Sequence, residues 1–144
     1  MREKMKNHYA NQFPTRFCRL QDVSIAYQDL GDPKGEPVLL IAGSGGQMLS
    51  WQDNFIDLLI HKGHRVIRYD NRDIGLSTKY PTASKLSQLI KLIRYKLSLT
   101  VSLPYTLDDM ADDALGLMNY LGIEKSHIIG VAYEIRNAPR ISDH

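Results

Sequence analysis

Hydrophobic and polar positions change period several times along the chain, and each change marks an element. Between residues 16 and 30, Val23, Ile25 and Tyr27 alternate with polar neighbours, which predicts a half-exposed strand and a candidate arm of a hairpin. The glycines and proline of Gly31-Asp32-Pro33-Lys34-Gly35 then mark a turn. Pro37-Val38-Leu39-Leu40-Ile41-Ala42 runs apolar without interruption. A strand with no polar face reads as a central parallel strand covered by helices on both sides. Ser50 is placed to cap a helix carrying Trp51, Phe55, Leu58 and Leu59 on one face, with Gly63 as its αL terminator. His64 to Tyr69 reads as a further strand, closed by the loop Asp70 to Ser77.

Residues 79 to 107 differ in character. They carry Lys79, Lys85, Lys91, Arg94 and Lys96 and no acidic residue, with Leu86, Leu89, Ile90, Ile93 and Leu97 at helical spacing. Beyond Pro104 the sign reverses to Asp108, Asp109, Asp112 and Asp113. Thr106 and Asp109 have the spacing of a capping box, and Leu107, Met110, Ala111, Ala114, Met118 and Leu121 form a helical stripe ending at Gly122. A strand from Ser126 to Gly130 follows. The fold class is α/β: a parallel sheet with flanking helices, at least three strands in β-α-β order, and a basic helical insertion at about 79–105.

Composition narrows the function more than the fold. A chain of 144 residues is the size of one domain and can bury roughly 70% of its unfolded surface. With 43% apolar and 24% charged residues it has the balance of a soluble globular protein, and a net charge of +2 is too small to imply a nucleic-acid partner. Cys18 is the single cysteine, so no internal disulfide forms and a reducing cytoplasm is the expected setting. The basic N-terminus lacks the apolar core of a secretory signal, and no run is long enough for a transmembrane segment. His61 and His64 flank a turn and read as solvent-facing; no Cys/His cluster has metal-ligand spacing.

In open parallel sheets, reacting groups gather beyond the C-terminal ends of the strands. Gly43-Ser44-Gly45-Gly46 is either a plain tight turn or a loop whose N–H groups face an oxyanion; it has neither P-loop nor dinucleotide spacing. Asp70-Asn71-Arg72-Asp73 offers catalytic carboxylates or, as such dense charge more often does, a turn-stabilising network. The basic helix between 85 and 97 suits a membrane surface, an acidic partner, or a cap over a pocket.

The stretches LLIAGSGGQMLSW (39–51), RVIRYDNRDIGLS (65–77) and PYTLDDMADDALGLMNYLGIEKSHIIGV (104–131) resemble the first half of an α/β-hydrolase, specifically the esterase-type members typified by aclacinomycin methylesterases. That resemblance implies a truncated α/β-hydrolase fold over residues 1–131 and an unrelated tail over 132–144. It implies an oxyanion loop at Gly43 and Ser44, the Ser44 N–H being one donor and the N–H of Tyr133 the other; a histidine commonly precedes that glycine, and here Ala42 does. It also implies a nucleophile elbow, Gly-x-Ser-x-Gly, after the last strand. Gly130 matches the first glycine, Ala132 the serine and Glu134 the second glycine.

Ala132 offers a methyl group where the chemistry needs a hydroxyl, and no general base activates a methyl. A side chain at Glu134 crowds a position that wants glycine. The acid and histidine of a triad belong to later strands in this fold; Asp143 and His144 are adjacent and cannot span that geometry. No catalytic residue is therefore assigned. The expected function is a truncated member of a serine carboxylic-ester hydrolase family, inactive itself, whose intact relatives take a small-molecule ester and need no metal or organic cofactor. An interrupted reading frame near codon 132 accounts for the tail. A non-catalytic binding or regulatory module retaining half a hydrolase scaffold is the alternative, and residual esterase activity through Ser44 a third. An uncovered sheet edge at the strand ending at Gly130 makes self-association expected.

Overall fold

The computed structural model describes residues 12–43, 46–80, 85–98 and 106–131, with the backbone alone at 85, 87, 88 and 91. Strands β1 (Arg16–Arg19) and β2 (Ser24–Gly31) form an antiparallel hairpin in which Cys18 faces Ile25. The turn after β2 leads to β3 (Glu36–Ile41), helix α1 (Asp53–His61) and β4 (His64–Tyr69). Helices α2 (Lys85–Lys96) and α3 (Leu107–Tyr120) precede β5 (His127–Gly130). The five strands lie in the order β1-β2-β4-β3-β5.

Parallel pairing is confined to β4, β3 and β5; β2 pairs antiparallel with both β4 and β1. The expectation of a parallel sheet thus holds for the β-α-β part, and the hairpin makes the whole sheet mixed. A hairpin needs no crossover helix, so its second arm, β2, pairs directly with β4 and carries β1 on its outer side. Gly35 permits this crowding: a Cβ there would stand 2.3 Å from the carbonyl oxygen of Gly63, so the β2–β3 turn and the α1–β4 turn nest only because glycine is present.

Period-two alternation sorts the strands' side chains between two cores. Cys18, Ile25, Tyr27, Leu39, Ile67 and Tyr69 pack with Leu117 of α3. On the opposite face Leu30, Val38, Leu40 and Val66 pack with Ile56 and Leu59 of α1. The central reading of Pro37–Ala42 is confirmed, whereas β2 is not half-exposed. Ala26 and Gln28 are buried as fully as Ile25. Gln28 is tolerated there because its Oε1 accepts from Arg68 Nε and Nη2 at 2.8 and 2.6 Å while its Nε2 donates to the Phe13 carbonyl.

Helix boundaries differ from the sequence reading at α1. Gln52 is its N-cap, with no side-chain cap. Ser50 instead closes a 3-10 turn, Met48–Ser50, and its hydroxyl donates to the Gln47 carbonyl, leaving the chain extended through Trp51 and Gln52. Leu58 is half-exposed, since the inward face of α1 is Ile56 and Leu59. Gly63 does take the left-handed conformation, φ +86°.

The capping box of α3 forms as expected: Thr106 Oγ1 accepts from Asp109 N at 3.1 Å, and Thr106 N donates to Asp109 Oδ2 at 2.7 Å. Its inward face is rotated from the expected stripe. Asp113 and Leu117 are buried, flanked by Ala114, Met118 and Leu121, while Leu107 is 82% exposed and Ala111 also faces out. The rotation follows from Asp113, which turns inward to meet an arginine described below. No helix among the described residues is long and apolar enough to cross a membrane.

Candidate active-site region

The parallel register places the two strand ends of interest side by side. Ile41 pairs with Gly130, and Val131 N donates to the Ile41 carbonyl at 3.1 Å. The chain therefore leaves β3 at Ala42-Gly43 and leaves β5 at Val131 at one end of the sheet, about 4.8 Å apart as neighbouring strands are.

The loop after β3 is gripped from three directions by the residues that end β4. Asp70 Oδ1 accepts from Met48 N at 2.7 Å, Asn71 Nδ2 donates to the Ala42 carbonyl at 3.2 Å, and Arg68 Nη1 donates to the Met48 carbonyl at 3.4 Å. The other carboxylate oxygen of Asp70 accepts from Leu76 N at 3.0 Å, and Ser77 Oγ donates to the Asp70 carbonyl at 2.6 Å. Gly75, at φ +54°, is required by this arrangement, because a Cβ would meet Asp70 Oδ2 at 2.2 Å. Asp70, Asn71 and Ser77 are all buried. Of the two readings of Asp70–Asp73, the turn-stabilising network is the one that forms.

Arg72 extends the network to α3. Its Nε and Nη2 donate to the two oxygens of Asp113 at 2.6 and 2.7 Å, and Nη1 donates to the Tyr80 hydroxyl at 2.9 Å. Hydrogen bonding to Asp113 outweighs burial and pushes the guanidinium's pKa up, so it stays charged at every accessible pH. The neighbouring Tyr69 phenol is pushed up to about 12, first by burial and then by the Asp113 charge.

A groove of about 360 Å³ opens beside these strand ends, lined by Ala42, Ser50, Trp51, Gln52, Phe55, Ile129 and Val131. The Trp51 and Phe55 rings stack with centroids 5.6 Å apart. None of the lining side chains among the described residues carries an acid or a base, and the groove they form suits apolar matter.

The sequence-predicted site residues fare unequally. Gly43 follows the end of β3, and its carbonyl accepts from Gly46 N at 2.9 Å, closing a tight turn. Gly130 ends β5, where a Cβ would come no nearer than 4.0 Å to the Ile41 carbonyl oxygen. Ser44, Ala132, Tyr133 and Glu134 lie outside the described residues. His61 and His64 are surface groups, their Nδ1 atoms against backbone carbonyls; among the described residues no cluster of His, Cys, Asp or Glu could hold a metal. Sequence reading missed the Arg68–Gln28 and Arg72–Asp113 pairs. The signal for the first was present, an arginine inside an apolar strand; for the second, Asp113 was hidden among three other aspartates.

The sequence matches the alpha/beta hydrolase fold family over residues 36–132. It is 34% identical to rhodomycin D methylesterase DauP of Streptomyces sp. (strain C5) over 119 residues, 83% of this chain and 34% of that protein. Rhodomycin D methylesterase DnrP of Streptomyces peucetius matches with the same identity and coverage. Among solved structures, one from work on the carboxylesterases of the thaumarchaeon Nitrososphaera gargenis superposes with a TM-score of 0.58 at 32% identity, covering 81% of this chain and 35% of that one. A hydrolase from Pseudomonas aeruginosa gives 0.62 at 25% identity, covering 81% and 36%. The chain spans about a third of the length of these relatives.

Proposed function

The chain belongs to the alpha/beta hydrolase fold family, and from that membership we propose that it is a partial serine carboxylic-ester hydrolase that does not itself hydrolyse esters. The observation that carries the proposal is Ala132 at the end of the strand that should deliver the nucleophile. In an intact enzyme of this kind a serine attacks the ester carbon, two N–H groups hold the resulting oxyanion, and water releases the acyl group. That chemistry asks for neither metal nor organic cofactor. The methylesterase names of two relatives point to a small-molecule methyl ester as the ancestral substrate class.

Several features support the reading. The register of β3 and β5 brings the Gly43 turn beside the exit at Val131, as an oxyanion loop and an elbow require. Gly43 and Ser44 are then the vestigial oxyanion loop, and Gly130, Ala132 and Glu134 the degenerate elbow. We read residues 1–131 as the hydrolase part with a basic helical insertion at about 79–105, and 132–144 as a tail foreign to it.

Two measurements test this. The 144-residue chain, incubated with a fluorophosphonate probe and with p-nitrophenyl esters, is expected to form no stoichiometric adduct and show no burst. A covalent adduct on the chain, with turnover that Ser44→Ala leaves intact or removes, overturns the assignment of inactivity. A chimera joining residues 1–131 to the DauP segment beginning at the elbow is expected to label with the probe. A chimera that folds cooperatively without labelling removes the scaffold from this enzyme class.

A further inference from the structure

Helix α2 exposes an apolar face with nothing among the described residues laid against it. Leu86, Leu89, Ile90, Ile93 and Leu97 fall within an arc of about 100° at helical spacing, yet each is between 48% and 66% exposed. By contrast α1 buries Ile56 completely. A helix of 12 residues is marginal in water unless such a face is covered.

Charge identifies what covers it. Arg94 and Lys96 stand on opposite borders of the apolar arc, both exposed, and the helix also carries Lys85 and Lys91. No acidic residue occurs from Lys79 to Leu107. Two copies meeting through this face would bring like charges together on both borders. A plane of anionic headgroups satisfies both borders at once, with the long basic side chains reaching outward from an apolar stripe sunk below them. The helix is too short and too mixed to span a bilayer and is suited to lie in its surface.

We propose that α2 is an interfacial helix that docks the protein on anionic lipid. The test is cosedimentation of the full chain with vesicles of phosphatidylcholine alone and with about a third phosphatidylglycerol. Binding is expected to the anionic vesicles, to fall with added salt, and to be weak on neutral ones. Each cation near such a surface is worth about fivefold in affinity, so Arg94→Gln with Lys96→Gln is expected to weaken binding about 25-fold. Ile90→Ser with Ile93→Ser is expected to abolish it. All four side chains are exposed, so the far-ultraviolet spectra of these variants should match the parent. Absence of binding at low salt overturns the proposal, as does equal binding to neutral vesicles or indifference to both double substitutions. A concentration-dependent dimer dissolved by Ile90→Ser with Ile93→Ser, without vesicle binding, assigns the face to a second copy and equally overturns it.

Discussion

Replacing Asp113 with alanine strips Arg72 of the carboxylate that holds both arms of its guanidinium. The two side chains are each 5% exposed, and their contacts of 2.6 and 2.7 Å are bidentate. Among the contacts Arg72 keeps are the Tyr80 hydroxyl and an Asp22 oxygen at 3.6 Å, on a side chain that is 66% exposed and so largely screened. Removing one partner of a buried ion pair costs about 3–5 kcal/mol, and these residual partners place the expected loss near about 3 kcal/mol. Domains of this size hold about 5–15 kcal/mol in total, so the variant should lose a large part of its stability. Urea unfolding followed by Trp51 fluorescence and circular dichroism should show a midpoint lowered by about 1–2 M for a slope of about 2 kcal/mol per M. Converting both partners to apolar residues, Arg72→Met with Asp113→Leu, should cost less than Asp113→Ala alone, because no charge is then stranded. A shift for Asp113→Ala under about 0.5 kcal/mol, or a double variant as damaged as the sum of its singles, would refute the claim that this pair ties the post-β4 loop to α3.

Two other outcomes are expected. The Tyr69 phenol has a folded pKa of about 12 against 10.0 for an unperturbed phenol; because the folded value is raised, its contribution is fully present below about pH 10 and is lost as pH rises toward 12. Alkaline unfolding should therefore begin above about pH 10, and Tyr69→Phe should remove that part of the pH dependence; an unchanged alkaline profile contradicts it. At the sheet edge, the alternation of backbone groups along β5 turns those of Ile128 and Gly130 away from β3, where no strand lies among the described residues, and the Ile128 side chain is 62% exposed. The chain should associate at micromolar concentration, and Ile128→Lys should reduce it by charging the edge; sedimentation as a clean monomer before substitution contradicts this.

Periodicity revealed most of the scaffold. The uninterrupted run at 37–42 could only be a strand covered on both faces, and the box at Thr106 fixed the start of α3 to the residue. What period could not show was burial of polar side chains. Gln28 reads as a solvent-facing position of an alternating strand, and only the proximity of Arg68, forty residues on, turns it inward. The expected face of α3 held at Ala114, Met118 and Leu121 and failed at Leu107 and Ala111 for the same reason, Asp113 being the residue that is buried. The uncovered edge at β5 is four residues long. The candidate site was legible through its glycines alone. Gly43 and Gly130 fall at adjacent strand ends as predicted, whereas the hydrogen bonds that hold the loop between them come from Asp70 and Asn71, whose role depends on contacts a linear reading does not contain.

The groups that build the region and the groups that would perform its chemistry are different residues. Asp70, Asn71, Arg68, Arg72 and Asp113 are committed to backbone and to one another, and none lines the groove beside the strand ends. On the reading proposed above, an alanine at position 132 costs the network nothing, because the loop after β3 takes its anchors from Asp70, Asn71 and Arg68. The converse also holds. On the same reading Ala132→Ser adds a hydroxyl without adding a base, and a serine at its ordinary pKa attacks esters poorly, so that substitution alone should leave the chain unlabelled by fluorophosphonate. The scaffold is separable from the chemistry because the hydrogen bonds that hold the loop after β3 and tie it to α3 come from residues that do not line the groove.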